Sequence, residues 1–180
     1  MTEPTRLHWG CGNDPQPGWI NSDRSPAPGV DMCCDIRDGL PLSDGSVDYA
    51  VSIHALQDLP WADVPKALKE LRRVLKPGGV LRLALPDMDR AIAAYRRGDA
   101  AYFFVPDEHA VAIGAKLVAQ LVWYGSTRTP MNWDYAREVL EAAGFQEVRR
   151  CAFRETGSRF AEIVSLDNRK RETLFVEATA

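Results

Sequence analysis

The chain has 180 residues, of which 46% are apolar and 26% charged, enough for one sizeable core and outside the composition of a disordered chain. Its formal net charge of -3 at pH 7 lacks the basic excess of a nucleic-acid-binding domain, so no nucleic-acid partner is expected. The longest apolar stretch, Ala110 to Tyr124, contains Lys116 and Gln120 and falls short of the roughly 20 residues that span a bilayer.

In chain order, Arg6–Trp9, Trp19–Ser22, Val30–Cys33, Val47–Ile53 and Val80–Leu85 are short apolar runs bounded by Gly, Pro or Asp, and each predicts a strand. The Val47 and Val80 runs are nearly continuous in apolar residues, as in parallel strands covered on both faces. Between them the spacing predicts a helix near Ala62–Lys76, with Asp63 as its cap, Pro65 in the first turn and Leu68, Leu71 and Leu75 on one stripe. Lys76-Pro77-Gly78-Gly79 ends it. From Asp87 to Pro130 the pattern is helical but irregular and reads as an insertion, at about residues 87–130, within a single domain over 1–180. A further helix is expected over Trp133–Ala143, capped by Asn132 and ended by Gly144, then strands over Phe145–Phe153 and Thr173–Ala178. The four cysteines form no CxxC pair and no zinc-type Cys/His spacing, which suits free thiols in a reducing compartment and no metal site. With no apolar signal core at Met1–Arg6, a cytoplasmic protein away from the membrane is the expectation.

Four features with chemical content follow one another. Leu7-His8-Trp9-Gly10-Cys11-Gly12 is a strand entering a glycine turn, where a ligand can approach the backbone and free N–H groups can meet an anion; an ordinary tight turn is the alternative. Asp23 ends the next strand, where a carboxylate can accept both hydroxyls of a ribose, or can serve a turn before Pro26. Asp35-Ile36 follows the third strand; its carboxylate can accept from an adenine amino group and the next N–H can donate to the ring, or Asp35 can serve as a turn residue. Finally Ser52-Ile53-His54 delivers His54 to the carboxyl edge of the sheet, where open α/β sheets hold ligands.

In this order the motifs resemble those of the class I S-adenosylmethionine-dependent methyltransferases, in particular a compact branch of small bacterial members. The resemblance extends through Gly18-Trp19-Ile20-Asn21-Ser22-Asp23, Leu40-Pro41-Leu42-Ser43-Asp44-Gly45-Ser46-Val47-Asp48, His54-Ala55-Leu56-Gln57-Asp58-Leu59-Pro60, Leu71-Arg72-Arg73-Val74-Leu75-Lys76-Pro77-Gly78-Gly79, Leu85-Pro86-Asp87 and Ala143-Gly144-Phe145. It implies a Rossmann-like three-layer α/β/α fold, with a mostly parallel seven-stranded sheet and one antiparallel strand. It also implies S-adenosylmethionine as cofactor and methyl transfer to a small-molecule acceptor by in-line displacement, without a metal. By the same resemblance Gly10, Cys11 and Gly12 flank the methionine part, Asp23 takes the ribose hydroxyls, Asp35 and Ile36 hold the adenine, Ile53 and His54 lie beside the amino group and reactive methyl, and His8 and Arg24 count among the cofactor-binding residues.

Three departures from that pattern matter. His8 stands where most members carry an acid, and it either donates to the glycine loop or is simply buried. Only seven residues separate Gly12 from Ile20, too few for a helical crossover. The first helix is therefore expected to be missing or reduced to a turn, its sheet face covered by other segments or by a second subunit in a homodimer. Gln57 and Asp58 replace the acid and histidine that many members place there.

His54 is the candidate general base and His109 the reserve; the alternatives are a backbone-positioned residue and a surface residue. Tyr102, Phe103, Phe104, Trp123, Tyr124 and Trp133 supply aromatic surface for an acceptor, and the Ala110–Tyr124 helix is either a core or interface helix or the wall of a substrate pocket. A nicotinamide dehydrogenase is disfavoured because the third glycine of its fingerprint is absent and Pro15 and Pro17 break the expected helix. A catalytically inactive scaffold that keeps the cofactor fold is the other competing function.

Overall fold

In the computed structural model, which describes residues 3–180, one sheet contains β1 (Arg6–Trp9), β2 (Ile20–Asp23), β3 (Met32–Cys33), β4 (Val47–Ile53), β5 (Leu75–Pro86), β6 (Gln146–Cys151) and β7 (Thr173–Thr179). The order is β3-β2-β1-β4-β5-β7-β6. Neighbours from β3 to β5 are parallel, and β7 runs antiparallel to both β5 and β6. This is the expected seven-stranded sheet with one reversed strand. The helices are α1 (Val64–Val74), α2 (Met88–Arg96), α3 (Ile113–Val122) and α4 (Trp133–Ala142).

One face of the sheet carries the main core. Leu7, Ala50, Leu81, Leu83, Leu85, Leu174 and Val176 meet the stripe Ala67, Leu68, Leu71 and Val74 of α1 and Ala136, Val139 and Leu140 of α4. Asn132 caps α4 as expected, its Oδ1 accepting from Tyr135 N at 3.1 Å. Asp63 does not cap α1. The helix is entered from a 3-10 turn at Trp61–Asp63, the Asp63 backbone is already helical, and its carboxylate accepts from Arg37 Nη1 at 3.4 Å instead.

No helix joins β1 to β2. Asn21, 5% exposed, replaces it with a clamp: its Oδ1 accepts from Gln16 N at 2.7 Å and its Nδ2 donates to Gln16 O at 3.0 Å and Trp19 O at 3.1 Å. The turn thus presses Trp19 edge-on against Tyr49 of β4, 5.3 Å between ring centres, and Tyr49 in turn meets Phe160 at 4.9 Å. Ring pairs of this kind contribute roughly 0.5–1.5 kcal/mol each beyond their buried area.

Phe160 belongs to the segment 152–172, and with Ile163, Val164 and Leu166 it covers the sheet face left by the missing helix. A buried arginine fastens it there. Arg82 of β5 donates from Nε and Nη2 to Asp167 at 2.7 and 2.5 Å, from Nη1 to Glu177 of β7 at 2.7 Å, and to the carbonyls of Glu155 and Ala152 at 3.1 and 3.3 Å. The face that the sequence left to other segments or a second subunit is therefore covered by the chain itself.

The 87–130 stretch is more regular than its pattern suggests. Asp87 caps α2 by accepting from Asp89 N and Arg90 N. Ala91, Ala94, Tyr102 and Phe103 then pack with Ile113, Leu117 and Leu121 of α3 in a small core of their own. Among the described residues no helix is long and apolar enough to cross a membrane.

Candidate functional site

Strand order reverses between β1 and β4, and a crevice opens at the carboxyl ends of the strands at that point, where α/β sheets characteristically receive ligands. It has three adjoining compartments. The first, about 620 Å³ out to its open mouth, lies over β2 and β3 and is lined by Trp9, Asp23, Arg24, Asp35, Ile36, Arg37 and Arg128. The second, over β1 and β4, is lined by His8, Gly10, Cys11, Gly12, Asp14, Ile53, His54, Asn168 and Arg169. The third lies toward α3 and is lined by His54, Gln57, Gln120, Trp123, Thr127, Arg169 and Glu172. Asp58 borders all three. The structure thus brings together His8, Gly10, Cys11, Gly12, Asp23, Arg24, Asp35, Ile36, Ile53 and His54.

Gly10 and Gly12 have φ of +70° and +53°, the left-handed conformation that glycine adopts without strain. The expectation of free N–H groups on this turn is corrected. Gly10 N and Cys11 N both donate to Ser22 O, at 2.7 and 3.1 Å, and Gly12 N donates to Asp23 Oδ2 at 2.9 Å. These donors lock the turn to β2 and are not available to an anion.

Asp23 Oδ1 accepts from Ser25 N at 2.9 Å, so each of its oxygens holds one bond and retains accepting capacity for two further donors. Asp35 is more fully engaged. Arg37 grips both its oxygens, at 2.9, 3.1 and 2.6 Å, and this pulls the Asp35 carboxyl down to about 2.

His54 has φ +52°, a conformation that costs a side-chain-bearing residue roughly 1–3 kcal/mol. Its Nε2 meets Thr173 Oγ1 at 3.0 Å. Burial, with Arg169 nearby, holds the imidazole neutral by pushing it down to about 3, far from the range that suits a general base at neutral pH. Burial also lowers His8, whose Nδ1 is enclosed without a partner. Gln57, the amide that replaces an acid, is 4% exposed. Its Nε2 donates to His54 O, its Oε1 is enclosed without a partner, and its backbone carbonyl accepts from Arg128 N and Thr129 N at 2.9 Å, which ties the turn after β4 to the segment before α4.

His109 does not reach the crevice. It lies in an exposed turn with Nδ1 2.8 Å from Tyr124 Oη, because Pro106–Ala110 folds back on itself ahead of α3. Of the six aromatic residues expected around an acceptor, Trp123 lines the third compartment, while Tyr102 and Phe103 are buried in the α2–α3 core. Gln120 places the end of α3 in the crevice wall, while Ile113, Leu117 and Leu121 of the same helix pack in the small core.

Asp14, Asn168, Arg169 and Glu172 also line the crevice and were not singled out from the sequence, and Asp58, noted there only as a departure from the family pattern, lines it too. Asp58 had a signal, its position four residues beyond His54 on the same turn. Asn168 to Glu172 had none, since they reach the site from the far end of the chain. Burial pushes the carboxyls of Asp58 and Glu172 up.

Residues 7–83 match a protein family described as a methyltransferase domain. The demethylmenaquinone methyltransferase of Staphylococcus haemolyticus is 30% identical over 115 residues, 63% of this chain and 47% of that protein. The chain spans less than half the length of the curated relatives it matches. Among solved structures, an S-adenosylmethionine-dependent methyltransferase from Thermotoga maritima aligns with a TM-score of 0.58 at 21% identity, covering 99% of this chain and 83% of that one. A second, from Archaeoglobus fulgidus, aligns at 0.61 and 13% identity, covering 98% and 86%. At these identities the structural likeness speaks for the fold.

Proposed function

We propose that this chain is a class I S-adenosylmethionine-dependent methyltransferase that binds S-adenosylmethionine in the crevice and directs methyl transfer to a small-molecule acceptor, a reading supported by the methyltransferase-domain match over residues 7–83. The observation that carries the reading is convergence. The turn after β1 and the carboxylates that follow β2 and β3 line one continuous crevice at the point where the strand order reverses.

The residues suit the ligand. Asp23 has accepting capacity for both ribose hydroxyls. Asp35 and Ile36 border the adenine end, and Gly10 lines the crevice beside them, its missing Cβ leaving room for Ala55. When bound, S-adenosylmethionine supplies an activated sulfonium methyl, so the protein has chiefly to align the reactants for in-line displacement, which contributes about 7–11 kcal/mol in favourable cases. Ile53 and His54 border the methyl, and the third compartment receives the acceptor. Where the acceptor must lose a proton, Asp58 and Glu172 are the groups suited to take it, because burial moves them toward the working range while it moves His54 away. Neutral His54 then acts by position. No metal enters this reading.

Thermal shift with S-adenosylmethionine, S-adenosylhomocysteine and NAD tests it. Stabilisation by the first two is expected, about 2.7 kcal/mol at a hundredfold excess over Kd. Stabilisation by NAD alone overturns it. Binding without turnover across a broad acceptor panel identifies the inactive scaffold.

A further inference from the structure

The methionine end of the crevice must meet a carboxylate, and the turn after β1 has no N–H group to offer. The N–H groups of Gly10, Cys11 and Gly12 are spent on Ser22 O and Asp23. The missing first helix removes the N-terminus that would otherwise face an anion. Among the side chains lining this compartment, Asp14, Asp23 and Asp58 are acidic, and burial holds His8 and His54 neutral. Among the described residues Arg169 is the one guanidinium there.

We infer that Arg169 holds the α-carboxylate of the cofactor's methionine moiety, an inference that rests on the S-adenosylmethionine reading. Its backbone is held in place: Arg169 O accepts from Thr173 Oγ1 at 2.9 Å and from Glu172 N at 3.1 Å. Two residues upstream, Asp167 is anchored by Arg82. The guanidinium itself is not saturated. Its Nη1 lies 3.9 Å from Glu172 Oε1, beyond hydrogen-bond reach, and the side chain is 55% exposed. Arg169 therefore has donors to give, in the forked geometry that suits a carboxylate. The segment that replaces the first helix as a cover for the sheet also replaces it as the source of positive potential. Because Arg169 borders the acceptor compartment too, a carboxylate on the acceptor is the competing occupant.

Calorimetric titration of the full chain with S-adenosylhomocysteine and with 5'-methylthioadenosine, which lacks the amino-acid portion, separates the two. Arg169→Gln is expected to weaken S-adenosylhomocysteine about 10- to 100-fold, as the loss of a charge-assisted contact does. It should leave 5'-methylthioadenosine unchanged, and Arg169→Lys should recover part of the loss. Unaltered S-adenosylhomocysteine affinity in Arg169→Gln overturns the assignment and gives the residue to the acceptor. Equal loss for both ligands also overturns it, because the effect then runs through the fold of the crevice. A wild-type chain that binds neither ligand overturns the cofactor reading and this inference with it. A wild-type chain that binds both, with Arg169→Gln unaffected, removes this inference alone.

Discussion

Gly10 and Ala55 stand face to face across the join between β1 and β4: a Cβ on Gly10 would lie 2.3 Å from the Ala55 Cβ. That is far inside contact distance, and φ at Gly10 is +70°. Gly10→Ala is expected to destabilise the fold by more than the roughly 1–2 kcal/mol of the left-handed backbone alone, because the two turns must also separate. Urea denaturation measures the cost. Adding Ala55→Gly should remove the clash and leave only the backbone part; no recovery in the double variant would show that the contact is not the cause.

Asp23→Ala is expected to weaken S-adenosylhomocysteine by roughly 1–3 kcal/mol through lost hydrogen bonds to an ionised acceptor. Gly12 N and Ser25 N lose their partner at the same time, so a fall in thermal stability should accompany the loss. Unchanged affinity by calorimetry would place the ribose elsewhere.

Arg82 is wholly enclosed with Asp167 and Glu177, and Arg149 also reaches Glu177, at 2.8 Å. Arg82→Ala strands buried carboxylates, a change that typically costs about 3–5 kcal/mol. The loss should appear first as proteolytic cleavage within 152–172, the segment those bonds hold down. Resistance there equal to wild type would contradict the anchoring role.

The buried histidines contribute to the acid limb of stability. His54 has an ordinary value of 6.5 that falls to about 3 in the fold, and His8 is shifted in the same direction. The unfolded chain thus binds the extra protons, so this contribution is fully present above 6.5 and is lost as pH falls from there toward about 3. The Asp35 carboxyl, lowered from 3.8 to about 2, adds its own loss only below about 3.8. Glu70 and Glu177 are lowered as well and the raised Asp58 and Glu172 carboxyls act in the opposite sense, so the histidine part is read by difference: His54→Gln should flatten the decline between pH 6.5 and 4 relative to wild type. An equally steep decline in that variant, read from urea midpoints across pH, would refute the neutral burial of His54.

The local pattern of the sequence determined the strands, the helices α1 and α4, and the chain order of turn and carboxylates that identifies the crevice. Those features are written in spacings of two and 3.6 residues and in Gly, Pro and Asn at element ends, which neighbouring residues can impose alone. The tertiary structure decided what covers the sheet and what charges the site. Arg82 and Asp167 are 85 residues apart, and Arg169 reaches a crevice begun by Gly10. It also decided which groups were already occupied: the turn's N–H groups were spent on β2, His54 was neutralised, and His109 was turned outward to Tyr124. Hydrogen bonding and desolvation depend on which distant atoms arrive at a point and whether water remains there, and no periodicity along the chain encodes either.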